Sequence, residues 1–336
     1  MNSGGSPDTL SSTMQESVSP YVHPDWPRAV WDVSGAFADD RELVSFFDYC
    51  KEVLGFEPFH IVHGAPLCEW NSGRVMRHFT RSTEDVREAG LAYAGRGIAV
   101  YLTFTNLFLE ESHLKESFGN ALCKFFEHHN PTGRNAVIVA NDLLRDYIRR
   151  EYPGLRLVSS ILKITQEFGR GRLDVYRRLG EEYDEVMVHP DDVLHPEFLA
   201  QLENKEKYIL LINEYCIRHC PIRHLHYRDL SEASLHFLSH DARPFEERQS
   251  KNGCQDLLRM LTNERYGVLA LNVPEMKALY DLGFRHFKIQ GRGHTNAMPL
   301  LADMLRLILK PDADDENAMH ATSVRFWESL IPVTTP

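Results

Sequence analysis

Eight short runs of apolar and β-branched residues recur along the chain and alternate with amphipathic helical patterns. Each run has about five to eight residues, which is the length of a strand buried in a sheet. The runs are Phe59–His63, Gly97–Phe104, Ala136–Ala140, Leu155–Ser159, Glu185–His189, Tyr208–Asn213, Gly267–Leu271 and Arg285–Ile289. Strands that alternate with helices form parallel α/β folds, and eight strands is the number in a (β/α)8 barrel.

This pattern predicts an α/β protein built on a single (β/α)8 TIM-type barrel, complete or distorted. A doubly wound open sheet has the same alternation and stays open as an alternative. The sequence has no G-x-G-x-x-G after its first run and no G-x-x-x-x-G-K-[ST]. Because those glycine-rich loops hold phosphates, their absence argues against a nucleotide-binding fold.

Three segments are predicted from changes in composition. Residues 1–25 are rich in serine, proline and polar residues without periodicity, so we expect a disordered tail. Residues 26–310 form the predicted barrel domain, with a cysteine-containing loop at 214–263 that is too long to be an idle connection. Residues 311–336 form a C-terminal extension with an acidic stretch.

Charge and cysteine content narrow the classes of function. The 336 residues include 37 Lys and Arg against 48 Asp and Glu, a net charge of −11. An acidic chain without a basic stripe argues against nucleic acid as a partner. No apolar run approaches the roughly 20 residues that span a bilayer, and the first residues do not have the pattern of a secretory signal. We therefore expect a cytoplasmic protein whose six cysteines are reduced.

The densest group of reactive residue types follows the run Tyr208–Asn213, at the end of a predicted strand. Active sites of parallel α/β proteins lie at the carboxyl ends of strands. Cys216 and Cys220 are close enough in sequence for both thiolates to reach one metal centre, and soft thiolates suit zinc or an iron–sulfur cluster. Two buried thiols are the alternative. Cys68 and Cys254 lie in predicted loops, whereas Cys50 and Cys123 fall inside helical patterns.

Other side chains, in this group and in two further segments of the chain, suit proton transfer or the binding of anions. The candidates for proton transfer are Glu214, His219, His224 and His226. The histidines are also competing ligands for a Cys/His zinc site. The candidates for binding an anionic substrate are Arg74, Arg218, Arg223, Lys288, Gln290 and Arg292. Lys288 and Arg292 lie at the end of the last predicted strand and start of a helix, where an anion-binding corner or a simple tight turn is expected.

Two motifs resemble a known family. The segment Phe287–Arg292, FKIQGR, is similar to the K-I-E-G-R signature of the collagenase-like peptidase family, peptidase family U32. The stretch Asn213–Tyr227 matches N-E-x-C-x3-C-P-x-R-x2-H-Y, which looks like the cysteine region of that family's shorter, single-barrel members. In element order the resemblance covers residues 56–310. Gln290 replaces the family's glutamate, which puts any role of that carboxylate in doubt.

The resemblance implies a TIM-type barrel and a four-iron four-sulfur cluster held by four cysteines, here Cys68, Cys216, Cys220 and Cys254. Characterised members support oxygen-independent hydroxylation, and the implied hydroxyl donor is the dianion prephenate. We therefore expect a biosynthetic enzyme that hydroxylates a small organic substrate with an anionic donor. The alternatives are a zinc- or cysteine-dependent peptidase and a non-catalytic scaffold, such as a partner of a second barrel subunit.

Overall fold

The structure, a computed structural model, describes residues 19, 21–64, 66–72, 82–238, 268–290 and 307–309. Eight parallel strands close into a barrel, so the prediction of a (β/α)8 fold is confirmed. The barrel strands are β1 Val30–Ser34, β2 Ile61–Gly64, β3 Ala99–Phe104, β4 Ala136–Val139, β5 Arg156–Ser159, β6 Glu185–Met187, β7 Tyr208–Leu211 and β10 His286–Ile289. Neighbouring strands follow chain order, and β10 closes the barrel between β7 and β1.

The predicted number of strands is right, but one member of the set is different. The first barrel strand, Val30–Ser34, is absent from the eight predicted runs. The predicted run at 267–271 forms β9 (Val268–Ala270), which pairs antiparallel with β8 (Asn213–Ile217) in a separate two-stranded sheet. The segment VWDVS was missed because Asp32 interrupts its apolar pattern.

Helices connect the barrel strands on the outside. They are α1 Asp40–Tyr49, continued by a π-helical turn at Cys50–Leu54, α2 Thr83–Ala94, α3 Ser117–His128, α4 Asp142–Glu151, α5 Ile161–Gln166, α6 Leu173–Glu182, α7 Pro196–Leu199, α8 Arg223–Leu238 and α9 Val273–Asp281. The 3-10 turns are Glu111–Lys115 and Lys205–Lys207. Ser82 and Asn141, whose residue types are favoured at helix N-caps, accept hydrogen bonds from Asp85 N–H and Leu144 N–H.

Residues near the two ends of the described chain are joined. Val22 forms an antiparallel bridge with Leu309, and the Trp26 indole donates a hydrogen bond of 2.7 Å to the carbonyl of Leu307. Residues 1–18 and 311–336 lie outside the described residues, as does 239–267 in the predicted long loop, so the domain boundaries stay predictions. None of the described helices is long and apolar enough to cross a membrane.

Candidate functional site

The two cysteines of the C-x3-C motif come together where the chain leaves β7. Cys216 lies at an irregularity in β8, where the register with β9 shifts between Glu214 and Ile217. Such a bulge redirects a side chain. The chain then reverses through His219, whose φ of 54° is in the left-handed region, and returns Cys220 to Cys216. The two thiols share a hydrogen bond, so the predicted proximity of this pair is present in the structure.

The pair is asymmetric in its protonation. The hydrogen bond from Cys216, together with the Ile222 N–H and the charge on Arg223, lowers the pKa of Cys220 to about 6. The same hydrogen bond, followed by burial, raises the pKa of Cys216. Cys220 is therefore a thiolate at neutral pH and Cys216 the thiol that donates to it. Thiolates are the form in which cysteine binds metals and acts as a nucleophile.

Glu214 and Arg223 form a buried ion pair beside the thiols. One guanidinium nitrogen of Arg223 donates to Glu214 Oε1 at 2.5 Å, and both side chains are almost completely buried. The sequence analysis proposed Glu214 for proton transfer and Arg223 for binding an anion. In the structure the two side chains pair with each other. They act on the pKa values of Cys216 and Cys220 rather than on a free substrate or anion.

A carboxylate that sequence reasoning missed organises the turn. Asp191 follows β6, and its side chain accepts hydrogen bonds from the His219 N–H and from Arg170, both at 3.0 Å. Its neighbour His189 is buried, which lowers the pKa of that ring to about 3 and keeps it neutral. The signal was the HPDD segment directly after the Glu185–His189 run, at the carboxyl end of a strand.

The predicted histidines lie near the rim but do not surround the thiols. The His219 side chain is largely exposed, and its Nδ1 is 3.3 Å from a nitrogen of Arg170. His224 and His226 lie in the first turns of α8, where their rings are next to Phe168 and Tyr227. The described part of the chain contains no group of three or more His, Cys, Asp or Glu side chains that could hold a metal ion. The Cys/His zinc site is therefore not assembled among these residues.

Cys68 has a different environment from the one that the sequence suggested. It is buried, and burial followed by the charge on Glu116 raises the pKa of its thiol to about 12. The Cys68 thiol also contributes to the raised pKa of Cys123 in α3, so the two thiols lie near each other. The Trp70 indole of the loop after β2 donates to the carbonyl of His113 in the 3-10 turn Glu111–Lys115, and its ring packs on Gly119 of α3. Cys68 thus does not join Cys216 and Cys220.

The residues that the sequence analysis proposed for binding an anion do not lie together in the structure. Lys288 lies inside the barrel, where its amine is 3.3 Å from Asp32 Oδ2. The backbone of Gln290 exchanges two hydrogen bonds with the side chain of Asn213, at 2.6 and 2.9 Å. Arg218 lies between the two cysteines, and its Nε is buried without a hydrogen-bond partner in the described part of the chain. Cys254, Arg74 and Arg292 lie outside the described residues.

The barrel interior is polar, which sequence reasoning also missed. Some of the contacts join strands that are not neighbours, as when Tyr101 of β3 donates to Glu185 of β6 at 2.7 Å. His286 Nδ1 is 3.4 Å from the same carboxylate, and His63 Nδ1 is 2.5 Å from Asp32. A TIM barrel is usually filled by branched apolar side chains. The signal was a polar residue at alternate positions of buried strands, as in VWDVS and RHFKI.

The low pKa of Cys220 predicts selective alkylation of the metal-free protein. Because the thiolate is the reacting form, its rate with iodoacetamide should rise with pH through about 6 and then level off. Cys50, Cys68 and Cys123 are buried and have raised pKa values, so they serve as internal controls that stay unlabelled until the protein unfolds. Mass spectrometry of labelled peptides measures this. A midpoint near 8.5, the value of a free thiol, would contradict it.

Several solved structures are similar to this chain, and the two described below have low sequence identity to it. No family model matches the sequence, and no curated protein matches it. A solved U32 peptidase is similar over 79% of this chain and 94% of its own, with 14% identity and a TM-score of 0.49. A GH18 chitinase from Pseudoalteromonas aurantia is similar over 55% of this chain and 80% of its own, with 15% identity and a TM-score of 0.33. A member of the family that the two motifs resemble is thus among the structures to which this chain is similar.

Proposed function

We propose that this chain is an enzyme with a thiolate-ligated iron–sulfur centre that hydroxylates a small organic substrate without oxygen, using an anionic hydroxyl donor. The observation that carries the proposal is the Cys216–Cys220 pair at the carboxyl end of the barrel. These two thiols share a hydrogen bond, and one of them is a thiolate at neutral pH. The second support is the resemblance of the surrounding motif, Asn213–Tyr227, to the cysteine region of the U32 family.

The described residues fit two ligands of such a centre and not four. Cys216 and Cys220 offer soft sulfur donors, which iron–sulfur clusters require. Cys68 is apart from them, against α3, so we replace the expected set by Cys216, Cys220 and Cys254, with a fourth ligand that is not Cys68. The chemistry that a bound cluster supplies is electron transfer.

The chain's own residues hold the pair and provide a place for an anion. Asp191 accepts the His219 N–H and so fixes the turn that returns Cys220 to Cys216. The buried Glu214–Arg223 pair places a fixed cation beside Cys220, where it favours the thiolate. The unpartnered Nε of Arg218 is the cationic donor in this turn that can bind a carboxylate of the hydroxyl donor.

Iron and sulfide analysis of protein purified without air tests the proposal. We expect iron and acid-labile sulfide with a broad visible absorption band, both lost in Cys216→Ala and in Cys220→Ala. Cys123→Ala is the matched control, since that thiol is buried in α3 and should leave the iron content unchanged. Cys68→Ser should also retain iron. A colourless wild-type protein after anaerobic reconstitution would refute the cluster.

A cysteine-dependent hydrolase is the second candidate, favoured by the lowered pKa of Cys220. Cysteine peptidases pair the nucleophile with a histidine base. The strongest influences on Cys220 are Cys216, the Ile222 N–H and Arg223, and none of them is a histidine. If metal-free protein cleaves peptides and alkylation of Cys220 abolishes the cleavage, this candidate replaces the iron–sulfur proposal.

A further inference from the structure

The barrel interior contains a lysine that the thiol centre does not use. Lys288 is the third residue of the four-residue strand β10, and its side chain is turned into the barrel. In the described part of the chain its amine has one hydrogen-bond partner, Asp32 Oδ2, at 3.3 Å. A lysine amine has three donors when it is charged. Lys288 is therefore both desolvated and incompletely hydrogen-bonded.

The second oxygen of Asp32 holds a histidine in one orientation. His63 Nδ1 is 2.5 Å from Asp32 Oδ1, and the Asp32 side chain is completely buried. Burial lowers the pKa of His63, so the ring is neutral and its Nδ1 carries the proton that it donates to the carboxylate. Its Nε2 then has the free lone pair. Asp32 thus connects an amine and a neutral base through its two oxygens.

Two polar atoms without partners flank this trio of Asp32, His63 and Lys288. Ser34 follows Asp32 by two residues and is in register with His63, so it lies on the same inner face of the barrel. His286 precedes Lys288 by two residues on the same face of β10. Ser34 Oγ and His286 Nε2 are buried and have no hydrogen-bond partner in the described part of the chain; His286 Nε2 is 3.9 Å from Asp32 Oδ2, beyond hydrogen-bond distance. A buried polar atom without a hydrogen bond destabilises the fold unless a ligand binds it.

The trio lies close to the carboxyl end of the barrel strands. His63 and Lys288 are the last but one residues of β2 and β10, and they keep 7% and 5% of their surface exposed. TIM-barrel enzymes build their active sites at this end. A ligand there needs a group that reacts with an amine and polar atoms that pair with Ser34 and His286.

We propose that Lys288 forms a Schiff base with a small α-oxo acid bound inside the barrel. The Lys288 ammonium, which pairs with Asp32, first gives a proton to His63 Nε2, and the neutral amine nitrogen then attacks the carbonyl carbon and forms the C–N bond. The carbonyl oxygen takes up two protons, one from the amine and one from His63, and leaves as water. The imine that remains has lost no electrons and needs no further reactant. Ser34 Oγ donates to an oxygen of the ligand. His286 Nδ1 donates to Glu185, so His286 Nε2 accepts from the hydroxyl group that the carbonyl oxygen becomes after the amine adds. A desolvated lysine is a recognised amine nucleophile for carbonyl substrates, and burial lowers the pKa of Lys288.

Borohydride trapping with glyoxylate tests this, because reduction of the imine leaves a carboxymethyl group on the lysine. We expect peptide mapping to find Lys288 modified faster than Lys277, a lysine on the surface of α9 that serves as an internal reference. Lys288→Arg should abolish the modification at this position. His63→Gln, which can still donate to Asp32, should slow it by about 100-fold, the contribution of a positioned base.

Two controls separate this proposal from the iron–sulfur proposal and from loss of folding. Cys216→Ala should be trapped as fast as the wild type, since no thiol takes part, so this proposal can succeed where the iron–sulfur proposal fails. Unfolding curves of Lys288→Arg and His63→Gln check that both variants are folded. If Lys277 is modified while Lys288 in folded wild-type protein is not, or if both react at the same rate, Lys288 is not the reactive amine that the proposal requires.

Discussion

Asp32→Asn should lower the free energy of unfolding by about 3–5 kcal/mol, the usual loss when one partner of a buried ion pair is removed. The replacement keeps the size of the side chain and removes its charge. It leaves Lys288 without its counter-charge and His63 without the carboxylate that binds its Nδ1. All three side chains are buried in the barrel, so water cannot compensate. Urea unfolding followed by circular dichroism measures the change.

A surface pair gives the matched control. Asp174 pairs with Arg172 at the start of α6, and both side chains are more than half exposed. Because solvent screens such a pair, Asp174→Asn should leave the unfolding curve where it is. If Asp32→Asn shifted the curve no more than this control, the interior network would be a minor contributor to stability.

The same carboxylate gives the protein a stability component that depends on pH. Burial alone would raise the pKa of Asp32, but its interactions with His63, which include a hydrogen bond, and the charge on Lys288 outweigh burial and lower the pKa to about 2. In the unfolded chain an aspartate has a pKa of about 3.9. The stabilisation is therefore complete above the unfolded value and is lost as the pH falls through about 2. As the pH falls from the unfolded to the folded pKa of Asp32, the free energy of unfolding should decrease more in the wild type than in Asp32→Asn.

Arg223→Met should destabilise the metal-free protein by a similar amount, about 3–5 kcal/mol. Methionine fills much of the same space but leaves Glu214 as a buried carboxylate without its cation, since 1% of the Glu214 side chain is exposed. Chemical unfolding gives the free energy. The thiolate should also weaken, because the charge on Arg223 helps lower the pKa of Cys220, so the alkylation midpoint should move to higher pH.

Two variants separate the loss of charge pairing from the loss of packing. Arg150→Met removes an exposed arginine whose partner is Glu151, and it should not change stability measurably. Adding Glu214→Gln to Arg223→Met removes the isolated charge and should restore part of the lost stability. If the double variant were as unstable as Arg223→Met alone, packing rather than charge would explain the effect.

Parts of the site could be predicted because they depend on neighbours in sequence. Cys216 and Cys220 are four residues apart after a strand, so a single turn is enough to join them. Cys68 was assigned to the same site on the argument that all loops at one end converge. The structure places it near Cys123 of α3, with the Trp70 indole of the same loop donating to the carbonyl of His113. Sequence spacing does not determine the direction in which a loop leaves its strand.

The amino-acid order alone determined that strands and helices alternate and that eight strands form a parallel α/β fold, because hydrophobic periodicity is a local property of the chain. It also determined the capped starts of α2 and α4. Closure of the barrel decided the rest. It placed β10 next to β1, which brought Lys288 beside Asp32 although the two residues are 256 positions apart in sequence. It also made β1 a barrel strand despite its aspartate, since a charge that disfavours burial in an isolated strand is stabilised once a lysine lies beside it on the neighbouring strand.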